Sequence, residues 1–195
     1  MNNTKVIFFD TETNGVRSTD SVLSISAIKA VYNGNDLETI EDRFTRYYYR
    51  NAGEKENPEA IGVNGLTEEV IREKRGDAEY ARYFCDDMKS FRRFCTGVRH
   101  YAGHNISFDR KFLDFTLKHT FCTMKENTYV LNLKKRNGYA KWPRLSETAA
   151  FYQIGLDLTQ LHGSDYDTLL TYEVFKKMLA AEKTRDTVLA FLGRR

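Results

Sequence analysis

Proline and cysteine are scarce in this chain, and its net charge is small. Only two prolines, Pro58 and Pro143, stand in 195 residues. No repeat or low-complexity stretch divides the chain either, so one domain is expected over 1–195, with its core motifs within about 5–182 and a helical tail at 183–195. The three cysteines, Cys85, Cys95 and Cys122, are odd in number and lack metal-ligand spacing. They exclude a disulfide framework and read as reduced, mostly buried thiols. No apolar run approaches the ~20 residues of a membrane span, and Met1-Asn2-Asn3-Thr4-Lys5 lacks the apolar segment of a signal peptide. The expected location is the cytoplasm, with no membrane partner. Excess charge is missing too: 30 basic residues against 27 acidic ones leave a formal +3, which permits nucleic-acid binding without arguing for it.

What is present is the composition of a folded domain, 41% hydrophobic and 29% charged, long enough to bury a real core. Residues 5–10 form a continuous apolar run, expected for a strand buried on both faces. Residues 22–32 and 37–48 read as strands joined by the hairpin signal Asn33-Gly34-Asn35-Asp36. A helix start is expected at Thr67, and the spacing of Tyr80, Phe84, Met88, Phe91 and Phe94 predicts a helix over 78–95. A strand over 98–103, a helix from about Ser107, a strand over 119–124, and helices over 145–153, 164–182 and the last dozen residues complete an α/β layered expectation.

The most informative segment is Val6-Ile7-Phe8-Phe9-Asp10-Thr11-Glu12. Alternate residues of a strand share a face, so Asp10 and Glu12 project together from a buried strand. Asp36-Leu37-Glu38 has the same spacing, but beside a hairpin turn it reads as solvated surface. If Asp109 and Asp167 join the first pair, four carboxylates surround one point. Two like charges 4 Å apart repel by roughly 1 kcal/mol in water and about 4 kcal/mol at a near-surface dielectric. Protons or hard divalent cations must neutralise such a cluster, and a pair of cations makes a phosphoryl-transfer site.

Each further residue also has a plainer reading. Asp109 opens the expected helix, with Ser107 as its N-cap. Ser164-Asp165-Tyr166-Asp167 has capping-box spacing, and Asp165 competes with Asp167 as the inward acid. A neutral imidazole beside a cluster of this kind can act as general base; His162 is the first candidate, followed by His104, His100 and His119. The basic residues Lys134, Lys135, Arg136, Lys141 and Arg144, interleaved with Tyr139 and Trp142, read as a solvated rim or as a single-strand binding surface. The tyrosine–arginine stretch 43–50 reads mainly as strand alternation.

The order of these pieces resembles the DEDDh family of 3′→5′ exonucleases, which includes the epsilon proofreading subunit of bacterial DNA polymerase III, oligoribonuclease and RNase T. Asp10-Thr11-Glu12-Thr13-Asn14-Gly15 matches its first motif, His104-Asn105-Ile106-Ser107-Phe108-Asp109 its second, and His162 with Asp167 its third. The tyrosine-bearing sister class would place Tyr at Gly163, so the histidine form is favoured. Phe121-Cys122-Thr123-Met124 is similar to a stretch of epsilon-like members. Asn64 stands where many members carry histidine, in Asn64-Gly65-Leu66-Thr67.

The resemblance implies a ribonuclease-H-like fold, a mixed central β-sheet flanked by helices. It implies two divalent cations, magnesium or manganese, about 4 Å apart across the scissile phosphate. Asp10 would bridge them; Glu12 and Asp167 would complete the ion that holds the attacking water; Asp109 would serve the other, and His162 would take the proton. Thr13, Asn14, Gly15, Asn64, Asn105 and Phe108 would contact the 3′-terminal nucleotide or its phosphate. The implied substrates are single-stranded DNA 3′ ends, with RNA trimming in the manner of RNase T or oligoribonuclease as the alternative. No clamp-docking motif is visible, so a DNA polymerase partner has no sequence support. A haloacid-dehalogenase-type phosphatase also begins with an apolar strand and paired acids, but Glu12-Thr13 fits its pattern poorly. An inert binding module on the same fold would lack at least one of the five motif residues, and all five are present.

Overall fold

The computed structural model describes residues 3–194, apart from the side chains of residues 38–40, and the second acid of Asp36-Leu37-Glu38 lies outside that description. The strands are β1 (Thr4–Thr13), β2 (Val22–Tyr32), β3 (Leu37–Tyr47), β4 (His100–Gly103) and β5 (His119–Cys122). The helices are α1 (Pro58–Asn64), α2 (Glu68–Arg75), α3 (Phe84–Phe94), α4 (Ile106–Asp109), α5 (Thr123–Leu131), α6 (Leu145–Phe151), α7 (Ser164–Ala180) and α8 (Glu182–Leu192).

The strands form one mixed sheet of order β3-β2-β1-β4-β5, antiparallel from β1 to β3 and parallel from β1 to β5. The apolar run sits at its centre because each of its faces has a helix layer to meet. Ile7 and Phe9 pack with Phe84, Met88 and Phe91 of α3. Val6 and Phe8 pack on the other face with Val174, Phe175 and Met178 of α7 and with Val188 and Phe191 of α8.

Strand β1 runs three residues past the expected end at Asp10. Its apolar part pairs with both neighbours, but pairing with β4 stops at Phe8↔Ala102 while pairing with β2 continues through Asp10↔Ser26 and Glu12↔Ser24. The two carboxylates therefore lie inside a strand, beyond the carboxyl end of its parallel partner, where open α/β sheets leave a crevice.

Other boundaries also shift. The expected helix over 78–95 begins only at Phe84, because the carbonyls of Tyr80 and Ala81 accept from the Arg75 guanidinium at 2.9 and 3.2 Å and are withdrawn from helical bonding. Helix α5 has no counterpart in the sequence expectations; its weak amphipathicity and its start inside the expected strand 119–124 conceal it. The stretch 43–50 is packing: Tyr48 is buried against Asp87 of α3, and Arg46 pairs with the same carboxylate while covering Phe44.

The expected capping box at Ser164 does not form. Gly163 is the N-cap of α7, and the Ser164 hydroxyl turns into the protein, 2.9 Å from both Ser24 Oγ and Ser26 Oγ on β2. One turn later Thr168 Oγ1 donates to the Ser26 carbonyl at 3.1 Å. All four residues are buried, so this polar seam fixes the first turns of α7 against the sheet. Removing one hydroxyl orphans the others, a cost of about 1–3 kcal/mol. Ser164→Ala should lose that much in urea unfolding, while Ser18→Ala on the exposed loop should change by less than about 0.5 kcal/mol; equal midpoints for the two would show that the seam contributes nothing.

Candidate active site

Alternation along β1 splits its last residues between two jobs. Asp10 and Glu12 share the face of Val6 and Phe8, towards α7, while Thr11 and Thr13 are buried on the other side. Beyond the end of pairing with β4, the Thr11 N–H has no strand partner, and Asp109 supplies one. Its Oδ1 accepts from Thr11 N at 3.1 Å and from Thr11 Oγ1 at 2.8 Å. Asp109 reaches this place from α4, a single turn after β4, where Gly103 lets the chain pass: a Cβ there would lie 3.1 Å from Ile106 Cβ and 3.2 Å from the Phe9 carbonyl. The expected helix from Ser107 is thus one turn followed by a 3-10 turn, and its N-cap is Asn105 at φ 74°, not Ser107.

The third motif arrives on α7. Ligand oxygens of Asp10, Glu12 and Asp167 lie within 4.8 Å of one another. Asp165 is exposed and stays outside this group. His162 precedes the helix at φ 67°, and this left-handed turn brings its N–H to Asp167 Oδ2 at 3.3 Å. The other oxygen, Asp167 Oδ1, is buried with no hydrogen-bond partner among the described residues.

Burial raises every pKa in the cluster, and repulsion from the neighbouring acids adds to it at Asp10 and Glu12. Burial pushes Asp10 well above the usual carboxylate range, with Asp109, Glu12 and Asp167 adding to the shift. Glu12 is pushed up to about 8 by burial, then by Asp167 and Asp109. Asp109 rises to about 7, chiefly through burial and against the Thr11 hydrogen bonds, and Asp167 to about 6. Acceptor oxygens facing one another with one left unpartnered fit a hard, oxygen-seeking cation; protons are the alternative occupant.

Three clefts open around these acids. One of about 400 Å³ is lined by Thr13, Gly15, Asn64 and Phe108 together with Glu12. A second, of about 260 Å³, runs from Glu12 and Asn64 to Lys74 and His162. A third, of about 550 Å³, lies between Val63, Arg144, His162 and Asp167. Asn64 sits between the first two, donating to the Thr13 carbonyl at 3.1 Å and bonding to Glu12 so as to favour its ionised form. At Gly15 an added Cβ would meet Asp20 Oδ2 at 2.3 Å and displace the carboxylate that accepts from the Arg17 N–H.

Two expected contacts change. Asn14 does not line the cleft: it is buried, its amide donating to Glu54 at 2.7 Å and to the Lys55 carbonyl at 2.9 Å, so it braces the loop before α1. Asn105 serves the backbone turn into α4, and its side chain makes no capping bond there. Sequence reasoning missed Thr11, which holds Asp109, and Lys74, which lines the 260 Å³ cleft. The alternation that exposes Asp10 and Glu12 is the signal that would have found Thr11.

The remaining histidines are committed elsewhere. His104 Nε2 lies 3.0 Å from the Pro143 carbonyl and Nδ1 3.0 Å from Thr123 Oγ1. A carbonyl only accepts, so Nε2 carries the proton and Nδ1 accepts from the hydroxyl. The rings of His100 and His119 lie 5.0 Å apart, tilted by 42°, at the amino ends of β4 and β5, away from the acids.

Burial holds His104 neutral, its pKa lowered to about 4 from the usual 6.5. Below pH 6.5 the unfolded chain takes up a proton that the folded one refuses, so stability falls as pH falls towards 4. Between pH 7 and pH 5 wild type should lose about 2 kcal/mol more than His104→Asn. Parallel stability–pH curves for the two proteins would contradict the neutral, doubly bonded imidazole.

Comparison with known proteins agrees with this geometry. The family model for exonucleases of the RNase T class matches residues 7–175. DNA polymerase III subunit epsilon of Escherichia coli (strain K12) is 25% identical, covering 92% of this chain and 73% of that protein. The PolC-type DNA polymerase III of Staphylococcus epidermidis is 26% identical over 91% of this chain, which spans only 11% of that protein. Among solved structures, exonuclease X in complex with 5′ overhanging duplex DNA superposes with a TM-score of 0.64 at 18% identity, covering 94% of this chain and 99% of that one. E. coli exonuclease I in complex with a dA16 oligonucleotide gives a TM-score of 0.70 at 15% identity, over 96% of this chain and 42% of that one. At such identities the structures speak for the ribonuclease-H-like fold. The family match sets aside the phosphatase and inert-module alternatives. It spans all five motif residues from β1 to α7, and the chain belongs to the DEDDh-type 3′→5′ exonucleases.

Proposed function

We propose that residues 1–195 act as one exonuclease unit that removes 5′-mononucleotides stepwise from the 3′ end of single-stranded DNA. The observation that carries this reading is the meeting of Asp10, Glu12 and Asp167 within 4.8 Å on the floor of open clefts. DNA is favoured because similar curated proteins include DNA polymerase III subunit epsilon and the PolC-type DNA polymerase III, and one similar structure holds a dA16 strand. A polymerase partner rests on that likeness alone. With three free thiols and no described helix long and apolar enough to cross a membrane, the cytoplasm is the proposed location.

Asp10, Glu12 and Asp167 would hold two divalent cations, magnesium or manganese, with Asp109 contributing through the oxygen that Thr11 does not occupy. When bound, the cations supply the positive charge that an in-line displacement needs at its attacking and leaving oxygens. His162, exposed at the border of two clefts, takes the proton of the attacking water. Its N–H to Asp167 Oδ2 ties that base to the acid beside it. Thr13, Gly15, Asn64 and Phe108 enclose the 3′-terminal nucleotide in the 400 Å³ cleft. Asn64, a neutral amide in place of the imidazole of many relatives, donates to the Thr13 carbonyl and so shapes this wall.

The test uses 5′-labelled DNA and RNA strands of equal sequence with magnesium, manganese or chelator. A cation-dependent ladder shortening from the 3′ end, faster on DNA and absent with Asp167→Ala, is expected; wild-type turnover by that variant would overturn the reading. His162→Ala should lower kcat by about 10²–10⁴-fold while manganese binding persists. Unchanged kcat would remove His162 from the base role.

A further inference from the structure

We propose that the basic hairpin between α5 and α6, residues 133–144, is the docking surface for the single strand whose 3′ end lies in the cleft. This rests on the exonuclease reading and extends it to the nucleotides upstream of the reacting one.

The charge distribution is the first observation. Residues 134–144 hold Lys134, Lys135, Arg136, Lys141 and Arg144 and no acid; 25 basic against 27 acidic residues remain elsewhere, a net of −2. The small positive charge of the chain is therefore concentrated in this segment. Lys141 pairs with Glu147 at the start of α6. Lys134, Lys135, Arg136 and Arg144 form no ion pair among the described residues and are exposed.

The second observation is two largely exposed aromatic rings. Tyr139 is 73% exposed and Trp142 62% exposed, and neither joins a core cluster. Exposed rings alternating with unpaired cations are the arrangement that holds single strands. Bases of any sequence stack on the rings while the cations meet phosphates.

The third observation is order and position. The hairpin is closed by the Lys134↔Ala140 bridge, by Lys135 N–H to the Tyr139 carbonyl at 2.9 Å and by Lys141 N–H to the Leu133 carbonyl at 2.9 Å. Gly138, at φ 82°, makes the turn. Its base is pinned to the second motif, because the Pro143 carbonyl accepts from His104. Arg144 lines the same cleft as His162 and Asp167. A strand leaving the carboxylates through that cleft meets Arg144, and Trp142 stands two residues before it in the same hairpin. The hairpin thus offsets the repulsion that an acidic site exerts on a polyanion.

Trp142 is the chain's one tryptophan, so its fluorescence reports stacking directly. Titration with oligo(dT) of twelve nucleotides in chelator should quench it, whereas dTMP should not. Lys134→Ala/Lys135→Ala/Arg136→Ala should weaken this binding tenfold or more and flatten its salt dependence by roughly 0.7 for each lost phosphate contact. In magnesium, the p-nitrophenyl ester of dTMP reports the cleft alone. The triple variant should hydrolyse it within twofold of wild type, while kcat/KM on a long strand falls tenfold or more. Absence of quenching by wild type, or equal long-strand binding by the triple variant, would overturn the proposal. Quenching without hydrolysis of either substrate would support the hairpin and count against the exonuclease reading.

Discussion

Mutual repulsion among Asp10, Glu12, Asp109 and Asp167 is the constraint around which this molecule is arranged. Like charges about 4 Å apart oppose one another by several kcal/mol at the edge of a protein, and the fold brings these together from β1, α4 and α7. Burial raises the proton affinity of all four acids, to about 6, 7 and 8 at Asp167, Asp109 and Glu12, and repulsion within the cluster adds to it at Asp10 and Glu12. Such shifts destabilise the fold as pH rises from the usual carboxylate range towards 8, since the unfolded chain releases protons that the folded one retains. A divalent cation removes the conflict that protons only soften.

Rigid packing is what makes the repulsion tolerable. The acids sit on an apolar strand clamped between two helical layers, and the helix bearing Asp167 is fastened by the serine seam of Ser24, Ser26 and Ser164. Asp109 is fixed differently, by occupying the ladder position that β4 vacates opposite Thr11. Premature ending of one strand therefore does two things: it opens the crevice, and it leaves a backbone donor that holds an acid in it.

Much of this was legible from sequence because the motif residues follow the strand period and recur in a fixed order. Asp10 and Glu12 share a face as alternation requires, and Asp167 rather than its neighbour Asp165 turns inward. What was not legible depended on long-range partners. Nothing local announces that Ser164 bonds to β2 instead of capping its helix, or that Arg75 takes the carbonyls which would have begun α3 earlier. Asn14 lies within the first motif yet braces a loop 40 residues away, through a hydrogen bond to Glu54. Helix α5 has only a weak apolar periodicity, and the role of His104 is set by the Pro143 carbonyl, a partner 39 residues away in sequence.

The central claim is that this cluster exchanges protons for divalent cations. Calorimetric titration with manganese at pH 7, repeated in two buffers of different ionisation enthalpy, measures that exchange directly. The account predicts saturable binding with a net release of about one proton or more, because ligands must be deprotonated to bind. Binding without proton release, or no binding at millimolar manganese, would contradict it.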